Sequence, residues 1–283
     1  MSCQWLFGLF ALLSTGAYAQ WLDFPTPGIP RTPDGKPNLS APAPRTAEGK
    51  PDLSGVWMHE ITTPAEMKRL YGAAIDREIA VQVPGMEIGT QHKYFINLLL
   101  DFKPAESPLR PEAAEIMRRG ATDFASQNPC QAFFGFPLAG LLSEPIKIVQ
   151  SPRVTVILYE VNNEHRQIFT DGRVLPKEFE LPAYMGYSAG RWEGDMLVVE
   201  TAGFNDKAIL DLMGHPHSEA LRVIERFRRR DFGHMDVEIT FDDPKMYTKP
   251  FTINVPHNLL ADADIFEMFC SENEKDGAHM KRQ

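Results

Sequence analysis

Glu225 lies in Leu221–Arg229, LRVIERFRR, where apolar and charged residues alternate, and it falls in the same set as Leu221, Val223 and Phe227. As a strand, that segment turns Glu225 toward an apolar interior and shows Arg222, Ile224, Arg226 and Arg228 to water. A carboxylate in such a place must be paired with a cation or kept protonated. Glu160 shares a face with Val154, Val156 and Leu158, and Glu200 shares one with Met196 and Val198, so both are candidates of the same kind. Arg166, Arg173 and Arg229 are the available cations. Two roles stay open for Glu225: an internal Glu–Arg bridge that fixes register, or a group that anchors a ligand or moves a proton.

His215-Pro216-His217 places two imidazoles at i and i+2, which share a face on a strand. Leu221 and Arg222 stand where a third metal-binding side chain would be needed, so no metal site is expected. His217 is kept as a candidate general base, because an imidazole titrates near neutrality. Gly186-Tyr187-Ser188-Ala189-Gly190 spells G-x-S-x-G, but Gly190 and Gly194 precede a β run where a nucleophile elbow needs a helix. Ser188 is therefore expected in a loop. No HExxH, P-loop or dinucleotide fingerprint occurs, and no cofactor is expected.

The elements that must position these residues change character along the chain. Thr63-Pro64-Ala65-Glu66 is a capping box, and Met67, Leu70, Tyr71, Ala74, Ile75 and Ile79 keep helical spacing, predicting a helix over 64–82. Tyr94–Phe102 reads as a strand or buried turn, and Pro111 opens a second helix that ends before Asn128. From 145 onward the period is two. Strands are predicted at 153–161, 165–170, 195–201, 221–229, 235–241, 249–255 and 264–270, with another at 56–61. Asn162-Asn163 and Asp231-Phe232-Gly233-His234 make hairpin turns. About eight antiparallel strands escape exposed edges most simply by closing into a barrel. The interior candidates are then Glu160, Arg166, Glu200, Phe227 and Phe241, with Glu225 and His217 as the catalytic candidates.

The chain has 283 residues and a net charge of −9, which argues against a nucleic-acid partner. Residues 1–19 read as a signal peptide: a short apolar run, Trp5 to Leu13, then Ala17-Tyr18-Ala19 before Gln20. That run is too short to span a membrane, and a secreted or periplasmic location follows. In an oxidising compartment, the two cysteines left after cleavage, Cys130 and Cys270, are expected to form a disulfide. Residues 20–50 form a proline-rich arm containing a duplication at a spacing of 14: RTPDGKPNLS from Arg31 and RTAEGKPDLS from Arg45. Its proline spacing favours an extended, semi-rigid conformation lying over or tethering the domain. Residues 51–275 form the barrel domain with a helical insertion at about 63–128, and 276–283 a tail.

Gly55-Val56-Trp57 at the mouth of the first strand resembles the Gly-x-Trp signature of lipocalin-like (calycin) barrels. Over residues 24–275 the chain also resembles an uncharacterised exported bacterial family. PDLSGVW, GYSAGRWEGDMLVVET, HPHSEALRVIERFRR, DDPKMYTKPF and FCSEN carry that resemblance. Its cysteine is usually followed by a Pro-Gly-type turn, whereas here the residues after Cys130 are Gln131, Ala132, Phe133 and Phe134. The resemblance implies export and a barrel, and no reaction.

The fold expected is therefore mainly β, an antiparallel lipocalin-like barrel of about eight strands with two α-helices in the N-terminal half. The leading function is binding of a small, mostly apolar molecule inside it. The alternatives are a cofactor-free isomerase, lyase or hydrolase using Glu225 or His217, and an envelope-interaction protein whose contact is the arm.

Overall fold

A computed structural model describes residues 25–72, 92–124, 135–142 and 144–266. Among these residues there are ten strands: β1 Gly55–His59, β2 Ile146–Gln150, β3 Val154–Tyr159, β4 His165–Phe169, β5 Tyr187–Glu193, β6 Met196–Ala202, β7 Arg222–Arg229, β8 His234–Asp242, β9 Phe251–Asn254 and β10 His257–Leu259. They are hydrogen-bonded in the order β10-β1-β2-β3-β4-β5-β6-β7-β8-β9, and a β10–β8 pairing closes the ring.

β9 and β10 are two parts of one strand. Glu238 pairs with Asn254, Val255 N donates to Val237 O at 2.8 Å, and Met235 then pairs with His257 in unbroken register. Pro256, which has no N–H to donate, divides them. The ring thus has nine strands, not the eight expected, and it is mixed. Antiparallel neighbours cannot alternate all the way round an odd-numbered ring. The one parallel pairing, β4 to β5 through Ile168 and Ser188, resolves this, with residues 170–186 as the crossover.

Alternation decides which side chains look inward. In β7 and β8 the buried residues are Val223, Glu225, Phe227 and Arg229, and Met235, Val237, Ile239 and Phe241. The turn between them is closed by Asp231, whose Oδ1 accepts from Gly233 N at 3.1 Å and lies 2.6 Å from His234 Nδ1. Asn162 and Asn163, at φ 53° and 51°, make the β3–β4 turn where it was expected.

Among the described residues there are three α-helices: α1 Pro64–Tyr71, α2 Lys93–Ile96 and α3 Pro111–Phe124. Thr63 caps α1 through Glu66 N, and α1 ends on a Gly72 cap at φ 64°; the rest of the helix expected to residue 82 lies outside the described residues. The segment expected as a strand or buried turn at 94–102 opens with α2, which buries Tyr94 and Phe95, and continues as a turn that buries Leu98 and Leu99. No helix among the described residues is long and apolar enough to cross a membrane.

The arm is more structured than its prolines suggest. Each copy of the duplication folds into a small hairpin: Arg31 bridges Pro37 and Arg45 bridges Pro51. Thr32 N donates to Lys36 O at 2.9 Å, and Thr46 N to Lys50 O at 2.8 Å. Gly35 and Gly49 supply the left-handed corner, at φ 83° and 75°. The hairpins lie on the barrel through Arg31–Asp262, at 2.6 Å, and Arg45–Asp195, at 2.7 Å.

The disulfide is a correction. There is no disulfide among the described residues, Cys130 and Cys270 both fall outside them, and the Cys130–Cys270 link is withdrawn. The segments expected as signal peptide and tail and most of the strand expected at 264–270 also lie outside the described residues; Asp264–Phe266 are not in a strand.

Candidate functional site

The barrel interior carries an ion pair. Arg166 on β4 and Glu225 on β7 meet through Nη2 and Oε2 at 2.7 Å, with side chains 1% and 3% exposed. Because β5 and β6 stand between β4 and β7 along the wall, the bridge spans the lumen. Of the three cations offered by the sequence, Arg166 is the partner. Arg173 lies outside, paired with Asp171 at 2.6 Å. Arg229 is a staple at one end of the barrel, donating to the carbonyls of Asp52, Ser54, Asp231 and Phe232.

Burial pushes the Glu225 carboxyl above the ordinary carboxylate range, and Arg166 opposes that shift. Burial also works against the Arg166 charge, but Glu225 and Tyr159 beside it keep the guanidinium protonated. Tyr159, on the inner face of β3, is pushed up to about 12, chiefly by its own burial. The Phe136 ring lies 3.9 Å from the guanidinium carbon.

The pair is incomplete as a hydrogen-bonded unit. Arg166 Nε and Nη1 are buried with no hydrogen-bond partner among the described residues. Guanidinium carries five N–H donors, and leaving a buried charged donor unmade costs more than about 1–3 kcal/mol. His217 has a similar deficit: it is buried, Nδ1 lies 3.3 Å from Ser218 O, and Nε2 has no hydrogen-bond partner among the described residues. Burial lowers its pKa, so the ring is neutral at pH 7. Phe136 stacks on Phe204 at 6.3 Å, and Phe204 meets His217 edge-on at 5.9 Å. The route from Glu225 to His217 therefore runs through Arg166, Phe136 and Phe204. Among the described residues no hydrogen bond joins the two catalytic candidates directly.

Phe227 and Phe241 are inward and buried, as expected. Glu160 and Glu200 are not inward, which corrects the reading of their faces. On β3 the buried set is Thr155, Ile157 and Tyr159, so Val154, Val156 and Leu158 form the outer face. Glu160, just beyond β3, is half-buried and accepts from Phe266 N at 2.9 Å. Glu200 is on the outer face of β6 and binds Arg191 at 2.7 Å. Ser188 is likewise corrected: it is on strand β5 rather than in a loop, buried, with its Oγ 2.9 Å from Thr201 Oγ1.

Sequence reasoning missed three buried histidines at the rim. His59 and His257 face each other across the β1–β10 pairing, and the His92 ring lies 5.7 Å from His59. Their only sequence signal is that His59 and His257 occupy inward positions of their strands. His59 Nε2 is 2.5 Å from Leu142 O and His257 Nδ1 is 2.8 Å from Val255 O. Among the described residues no group of His, Cys, Asp or Glu is arranged to hold a metal ion. His215 is paired with buried Asp211 at 2.6 Å.

Comparison with protein-family models, curated proteins and solved structures returns no match to the chain.

Proposed function

We propose that this is an exported protein that binds a small, mostly apolar molecule inside its barrel, with an oxygen acceptor of that molecule on Arg166. The single observation that carries the reading is the pair of unpartnered nitrogens on a guanidinium that is 1% exposed on its side chain. Because Glu225 already neutralises Arg166, a carbonyl or hydroxyl oxygen fits better than a carboxylate, which would leave an excess buried charge. Glu225 is then a positioning residue that holds the guanidinium in place. Inward Phe227, Phe241, Val199 and Ile239 provide apolar surroundings. Barrels of about this strand number enclose either packed side chains or one small ligand.

One feature supports the lipocalin-like reading of the barrel: Trp57 of the Gly-x-Trp sequence is wholly buried at β1. Export rests on the leader-like first nineteen residues.

Native mass spectrometry of the mature chain, isolated without refolding from its own host, tests the reading. The expected result is one small molecule per chain, lost in Arg166→Lys while the variant stays folded by circular dichroism. A bare chain mass in the wild type, or a ligand retained equally in Arg166→Lys, removes the proposal.

A further inference from the structure

A separate cavity of about 510 Å³ lies where β1 begins and β7 and β10 finish. It is within the range of small-molecule sites, about 300–1,000 Å³. Pro27, Ile29, Val56, Phe232, Leu259 and Leu260 supply apolar wall, and the arm contributes residues 26–29 as its roof.

The charged groups on its wall are already engaged. Arg229 binds four backbone carbonyls, as described above. Both oxygens of Asp264 hold Lys147 Nζ, at 2.7 and 2.8 Å. Asp52 Oδ1 accepts from Ser54 N at 2.8 Å. No buried side-chain polar atom lining this cavity lacks a hydrogen-bond partner among the described residues. An ion entering would have to break one of these pairs, whereas an apolar molecule would not.

Asp262 ties the roof to the barrel, and Phe232 N and Gly233 N hold the arm further along through Ala41 O and Leu39 O, each at 2.7 Å. Asp262 Oδ1 accepts both from Thr26 N, at 2.8 Å, and from Arg31 Nη2, at 2.6 Å. Asp262 takes φ 59°, a left-handed conformation that costs a non-glycine residue energy and that its neighbours must enforce.

We propose that this cavity is a second binding site, for a neutral apolar small molecule, with the arm as its cover and Asp262 as the latch. The site is independent of Arg166, and its failure would leave the interior reading untouched. The test uses two fluorescent probes of one skeleton on the mature chain: neutral N-phenyl-naphthylamine, and anilinonaphthalene sulfonate, which adds a negative charge. The neutral probe is expected to bind at least tenfold more tightly than the sulfonate. Ala263→Phe, which puts a ring on the cavity wall, should weaken the neutral probe at least tenfold, and Arg166→Lys should not. Asp262→Ala should speed its release several-fold, and it carries the test if Ala263→Phe does not fold. No binding, equal affinity for the two probes, or binding and release indifferent to both Ala263→Phe and Asp262→Ala overturns the proposal. So does loss of the probe in Arg166→Lys.

Discussion

Arg166 and Glu225 join across the barrel at 2.7 Å although their strands are separated by two others. The bridge ties opposite walls together, so removing one partner leaves a buried charge alone. Glu225→Ala is expected to lower stability by about 3–5 kcal/mol in urea unfolding. Replacing both, Arg166→Met with Glu225→Leu, should recover much of that loss. A double variant as unstable as the sum of the two single ones would show that the pair is not coupled.

The histidines at the rim make the fold sensitive to acid. Burial, with the neighbouring positive charges, holds His92 down to about 3; burial and His59 hold His257 down to about 4; burial lowers His59. These groups are protonated in the unfolded chain before the folded one. Their contribution is complete above the ordinary value of about 6.5 and is lost as pH falls from there toward 4. His92→Asn keeps a good helix cap for α2 and should make the fall in thermal stability across that window shallower. An identical pH profile in His92→Asn would contradict this.

Much of this was legible in the residues, and the failures have a common cause. On β7 one face is charged, so LRVIERFRR itself says that Glu225 is inside. β3 and β6 are apolar on both faces: Val154, Val156 and Leu158 against Ile157 and Tyr159, and Val198 against Leu197 and Val199. Period two then finds the strand without saying which side faces the lumen, and Glu160 and Glu200 were placed on the wrong one. β5 was missed because its glycines read as a turn. Yet Gly190 faces Ile168 and Leu197 so closely that a Cβ there would lie 2.9 and 3.2 Å from them. Arg166 as the partner of Glu225 depends on closure of the ring, which no local pattern contains, whereas β2 was overlooked although Ile146 and Ile148 alternate inward on it.

Glu164, in the β3–β4 turn, offers the opposite pH dependence. Its burial pushes the carboxyl up to about 7, and Oε2 has no hydrogen-bond partner among the described residues. The folded chain therefore prefers it protonated, and its contribution is full below the ordinary value near 4.5 and lost as pH rises through about 7. Glu164→Gln should raise the unfolding temperature at pH about 8 and leave it nearly unchanged at pH about 4. An equal effect at both values would contradict the assignment.

The arm separates surface clasps from a buried staple. Arg45 and Asp195 are more than half exposed, and Asp195→Ala should cost less than about 1 kcal/mol. Arg229 is 6% exposed and holds four carbonyls, two of them from the segment leading into β1. Arg229→Ala should cost about 3 kcal/mol or more by chemical unfolding, because those acceptors lose their donors. Comparable losses in the two variants would refute the distinction.

A crystal structure of the chain as isolated from its host, at a resolution that shows individual waters, would examine Arg166 most directly. Non-protein density larger than water, with an oxygen within hydrogen-bonding distance of Nε or Nη1, is the expected finding. Water alone at both nitrogens, or carbonyls of the chain itself occupying them, would show that the barrel holds no ligand there.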